Sequence, residues 1–200
     1  MIPIIISTLV LGWIGILLFV ILAVTFPKLA KNNEFGFIHI LMAFMYTMWL
    51  PIPITLYEIL HTTSLKVGMI FGLVYLSMMI ITMSLQTGHI VHSAKESQSQ
   101  AISNHFMEIL SGPFELMANI VKSIWVLFLA VAFWEQEYVI MATVFGIFSL
   151  LFIYFFLLLL KASLIKPNIF LKKIHANTYF FNLEMFFLFL SLMLFITFAN

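Results

Sequence analysis

Continuously apolar runs of some twenty residues, separated by short polar connections, dominate this chain. The runs extend from Ile4 to Phe26, Phe37 to Ile59, Val67 to Ile90, Phe114 to Trp134, Tyr138 to Leu160 and Tyr179 to Phe198. A helix crosses the hydrocarbon core with about 20 apolar residues. A transmembrane strand would instead alternate every second position over about ten residues. These runs do not alternate. The pattern predicts an all-α, polytopic membrane bundle of six transmembrane helices, forming one integral membrane domain over residues 1–200.

The polar stretches refine this outline. Ser93 to Gln100 is polar and expected to be mobile. In the stretch from Ala101 to Leu110, Ile102, Phe106, Ile109 and Leu110 fall on one helical face, and Asn104, His105 and Glu108 on the other. This predicts a short interfacial amphipathic helix near 101–110, stopped by Ser111-Gly112-Pro113. The segment from Ala162 to Asn177 carries Lys166, Lys172 and Lys173, which suits an anionic lipid surface. The connections His61–Lys66 and Glu135–Glu137 leave no room for a domain at the other end.

Composition narrows the class further. Hydrophobic residues make up 64% of the chain and charged residues 8%, against roughly a quarter charged in soluble domains. With no Cys, disulfides, thiolate metal sites and Cys nucleophiles are excluded. The net charge of +1, without a basic run, excludes nucleic acid as a main partner. The expected partners are the lipid bilayer and other membrane subunits.

The chain has no Arg, so Lys alone orients it. Lys28, Lys31, Lys95, Lys161, Lys166, Lys172 and Lys173 fall on the side reached after the first run, and only Lys66 on the other. The positive-inside rule makes the Lys-rich side cytoplasmic. Both termini are then expected outside, which requires an even number of spans. The expected location is the inner (plasma) membrane of a bacterium, with an organellar membrane as the alternative. No Lys precedes Lys28, so the first run does not read as a cleaved signal peptide. Tyr57, Trp134, Tyr138 and Tyr179 lie near run ends, as interfacial aromatics do.

Four features carry candidate chemistry. Pro51 and Pro53 lie inside the second run and should kink it, as a hinge or as a static bend. Lys122 and Glu184 both lie roughly 8–12 Å below the Lys-rich edge at 1.5 Å per residue. Ions at that depth usually pair, which predicts an intramembrane pair, with Glu115 as a competing partner and snorkelling of Lys122 as the alternative. Glu58 and His61 share a face, but two ligands are too few for a metal site.

The fourth feature is the His distribution. His39, His89, His92, His105 and His175 all fall on the Lys-rich side. Imidazole and carboxylate ligate zinc, iron or manganese where thiolates are absent. His89, His92, His105 and Glu108 are therefore the candidate divalent-metal set, and His39 with His89 or His92 the candidate haem ligands. Interfacial His without any ligand and a proton-relay or pH-sensing role are the competing readings. No phosphate-binding Gly loop, nucleophile elbow or zinc-protease motif is present. The polar residues Gln86, Glu115, Asn119, Lys122, Asn182 and Glu184 all lie in the cytoplasmic half.

Three functions follow from the sequence. The first is a membrane redox subunit or interfacial enzyme with haem or a metal at the His cluster. The second is a transporter or channel component using Lys122 and Glu184. The third is an assembly subunit without chemistry, suggested by scarce Gly and by 23 Phe and 13 Met. The sequence alone leans to the first.

Overall fold

The computed structural model describes residues 2–96 and 100–199. Among these residues there are helices and no strand. In chain order they are α1 (Ile2–Lys31), α2 (Phe35–Trp49), α3 (Ile52–Leu60), α4 (Thr63–Glu96), α5 (Gln100–Ile109), a π turn (Leu110–Phe114), α6 (Glu115–Glu135), α7 (Val139–Ser149), α8 (Leu151–Ser163), α9 (Ile169–Lys172) and α10 (Thr178–Phe198). Among the described residues, six stretches are long and apolar enough to cross a membrane: Pro3–Lys31, Phe35–Leu60, Thr63–Lys95, His105–Glu135, Val139–Ser163 and Thr178–Phe198.

Large apolar side chains such as Val24, Ile140 and Phe198 face outward. In water such a surface would aggregate; in lipid it is the natural exterior, because chain and solvent are equally apolar. The middle of the bundle is α6, which packs on α4 on one side and on α7 and α8 on the other. The second span, α2–α3, lies between α1 and α4, and α10 packs along α1 and reaches α7.

Small residues set the closest approaches. A Cβ added to Gly68 would lie 2.6 Å from Phe128 Cβ, and one added to Gly72 would lie 2.8 Å from the Trp125 ring and 2.9 Å from Pro53 Cγ. The bare backbone at these two positions, one helical turn apart, lets α6 approach α4. Gly15 does the same for α1 and α2, because its added Cβ would lie 2.3 Å from Trp49 Nε1. Trp49 Nε1 donates to the Gly12 carbonyl across the same contact at 3.2 Å.

Two spans are interrupted. The second breaks at Leu50–Pro51, where the prolines withdraw their N–H groups. The Thr47 carbonyl takes the Leu50 N–H at 3.2 Å, and α3 restarts with Thr55 N–H on the Pro51 carbonyl at 3.0 Å. The fifth breaks at Leu150, where Leu150 N–H turns to the Ile147 carbonyl at 3.2 Å. Ser149 Oγ also donates to the Gly146 carbonyl at 2.7 Å. No proline marks this second break.

In the Lys-rich connection one expectation is corrected and one stands. The polar stretch from Ser93 is not loop at its start, because α4 runs on to Glu96; residues 97–99 lie outside the described residues. Ser111-Gly112-Pro113 does interrupt the helix that precedes it. Gly112 leaves helical geometry, at φ −90° and ψ −105°, and the chain kinks there between α5 and α6. Ile102 and Asn104 lie outside the residues whose side chains are described.

Candidate functional site

Lys122 comes one turn before Trp125 on α6. The Gly72–Trp125 contact with α4 therefore carries Lys122 to the level of Tyr75. The side chain is buried among protein groups. The ammonium forms an ion pair with Glu184 Oε2. Its Nζ also lies 4.9 Å from the centre of the Phe155 ring on α8 and 5.8 Å from that of Tyr75 on α4. A cation gains about 0.5–2 kcal/mol from an aromatic face, more when desolvated. Two rings and a carboxylate thus replace its hydration shell.

Glu184 reaches the pair because α10 starts at a fixed point. Asn177 Oδ1 accepts from Phe180 N–H at 3.1 Å and caps the helix. Glu184 follows on the face that also buries Met185 and Leu188. Tyr46 of α2 closes the neighbourhood. Its hydroxyl donates to Met185 Sδ at 2.6 Å, and its ring meets Tyr75 edge-on at 6.2 Å. The pair is thus enclosed by α2, α4, α6, α8 and α10.

Aromatic rings cover it toward the other end of the bundle. Trp49 and Phe189 stack with centroids 4.0 Å apart and planes 11° apart. Trp125 lies against Phe189 at 6.1 Å. Trp49 is the last residue of α2, so this cover sits beside the Pro51 break. Beyond it, Thr8 and Thr55 are fully buried and share a hydrogen bond of 2.7 Å. Two buried side-chain atoms lack a partner among the described residues, Trp125 Nε1 and Gln86 Oε1. Trp125 lies one turn from Lys122 away from the Lys-rich end. Gln86 lies three turns from Tyr75 toward it.

The sequence-predicted residues are distributed unevenly. Lys122 and Glu184 come together, and the ion pair forms with Glu184 rather than Glu115. Pro51 and Pro53 sit at the break beside the aromatic cover. Asn119 is buried and donates to the Glu115 carbonyl at 3.0 Å. Glu58 and His61 are separated by the end of α3, where His61 turns left-handed at φ 49°.

The His cluster is different. Among the described residues, no three His or Glu side chains converge as a metal-ligand group. The reason lies in the packing of α5. Phe106 turns its ring onto His89, with centroids 4.7 Å apart, so an apolar contact occupies the face toward α4. His105 and Glu108 then face outward. His39 Nδ1 lies 2.6 Å from the Phe35 carbonyl of its own helix, and His92 is exposed.

Sequence reasoning missed Tyr46, Tyr75, Phe155 and the Thr8–Thr55 pair. Neutral aromatics carry no signal in a chain that is 16% aromatic. The threonines could have been found as polar residues inside apolar runs. Together the fold and site define a six-span α-helical membrane protein built around the buried Lys122–Glu184 pair. In comparisons with protein families, curated proteins and solved structures, the chain matches none.

Proposed function

We propose that this chain is a membrane transport protein that translocates protons, with the Lys122–Glu184 pair as its switching centre. The observation that carries this reading is the pair itself. Charges within a membrane span are costly, and they mark ion and proton pathways. The unpartnered Gln86 and Trp125 atoms support it, since they lie on either side of the pair along the bundle. Unpartnered buried polar groups in a native structure call for an explanation, and transient water or a passing proton carrier supplies one.

The chemistry follows from the enclosure. With Glu184 ionised, the pair is neutral overall and holds α10 against α6. A proton on Glu184 removes the attraction and leaves Lys122 with its two aromatic faces. The helices are then free to part at the breaks near Pro51 and Leu150, where the regular helical hydrogen-bond pattern is already interrupted. The Lys-rich side is the cytoplasmic side in this reading, and the inner membrane is the location.

The test is proton flux in liposomes carrying the purified protein, driven by an imposed potential and read with an enclosed pH dye. Wild type is expected to conduct above protein-free liposomes, and Glu184→Gln to reduce the protein-dependent flux at least tenfold. Wild-type flux at the protein-free level, or an undiminished Glu184→Gln, would remove the proposal.

A further inference from the structure

A cleft of about 560 Å³ opens between α1, α2 and α10 in the Lys-rich half of the bundle, on the side of α10 away from Glu184. Its walls are mostly apolar, including Phe26, Ala23 and Met42. Phe19 and Phe186 stack at 5.0 Å at its inner end. Polar groups are confined to its α10 wall nearer the mouth, at Thr178, Tyr179 and Asn182. Ligand sites typically have this volume and this mixture of apolar wall and few polar groups. From Phe26 to Phe19, or from Thr178 to Phe186, the cleft runs about 10–12 Å at 1.5 Å per residue. One leaflet of the hydrocarbon core is about 15 Å deep.

We propose that the cleft holds one acyl chain of an anionic phospholipid, and that this lipid acts as a wedge behind the helix that carries Glu184. Charge complementarity selects the headgroup. The last turn of α1, just beyond Phe26, carries Lys28 and Lys31. Exposed Lys172 and Lys173 lie a few residues before Thr178. Glu34 is the one opposing charge in the connection from α1 to α2. The Asn182 amide and the Tyr179 and Thr178 hydroxyls are donors suited to phosphate and ester oxygens.

The wedge follows from helical geometry. Asn182 and Phe186 line the cleft, whereas Glu184, Met185 and Leu188 form the buried face of α10. A chain in the cleft fills the gap between α10 and the α1–α2 pair at the level of the charge pair, and so keeps α10 on α6. A ligand that binds only the packed bundle stabilises it by mass action. This inference does not rest on proton transport, and its test involves no flux.

The experiment is native mass spectrometry of the detergent-solubilised chain titrated with phosphatidylglycerol or phosphatidylcholine, with thermal melts on the same samples. One phosphatidylglycerol per chain is expected, preferred at least tenfold over phosphatidylcholine. It should raise Tm by about 5 °C. Ala23→Phe fills the cleft from an exposed position and should abolish both effects. Asn182→Leu is a second variant at the lip and should weaken binding at least threefold. Equal binding of the two lipids, or undiminished phosphatidylglycerol binding by both variants, would overturn the proposal.

Discussion

Replacing Lys122 by leucine is expected to lower the stability of the bundle by about 3–5 kcal/mol, the usual cost of removing one partner from a buried ion pair. The substitution keeps most of the side-chain volume, so packing against Tyr75 and Phe155 survives. What it removes is the cation paired with Glu184. Glu184 is 5% exposed, so water cannot take over. An exposed pair would give a different number, about 0–1 kcal/mol. Changing both residues to methionine removes the charges together, and such replacements are often neutral or stabilising. The Lys122→Met/Glu184→Met chain is therefore expected within about 1 kcal/mol of wild type. Reversible unfolding in mixed micelles measures both. Additive losses in the double variant would show that the two residues act independently.

Trp49→Ala is expected to cost about 3–5 kcal/mol, in the range for truncating a buried Trp. Trp49 is fully buried, stacks on Phe189, and fits its indole edge against the bare backbone at Gly15. In a membrane this loss is one of direct packing, since apolar burial gains little against lipid. Trp49→Phe keeps an aromatic ring on Phe189 and gives up the hydrogen bond to Gly12, so about 1 kcal/mol is expected. The same unfolding measurement checks both. An alanine variant no weaker than the phenylalanine variant would mean that the aromatic cover contributes nothing to holding α2 against α10.

The sequence made the spans legible because the membrane imposes a length and an apolar composition on every helix that crosses it. It also made Lys122 and Glu184 legible, since a charge well inside an apolar run stands out and its depth follows from residue count. Their surroundings were not legible. Tyr75 and Phe155 come from two different spans, and only tertiary packing brings them to one ammonium, with Tyr46 of a third span against Tyr75. The Leu150 break had no proline to announce it. The His residues are a different case. Their residue type suggested ligands, but Phe106 packs onto His89 and turns His105 and Glu108 outward. Gly112 and Pro113, by contrast, read as a break, and the chain does kink at Gly112 between α5 and α6.

In the proposed function the Lys122–Glu184 pair is a working centre rather than a structural staple. The doubly neutral Lys122→Met/Glu184→Met chain tests this most directly, because it is expected to fold with near wild-type stability. Its proton flux in liposomes should sit at the protein-free level while wild type conducts. A folded double variant that conducts as well as wild type would contradict the claim.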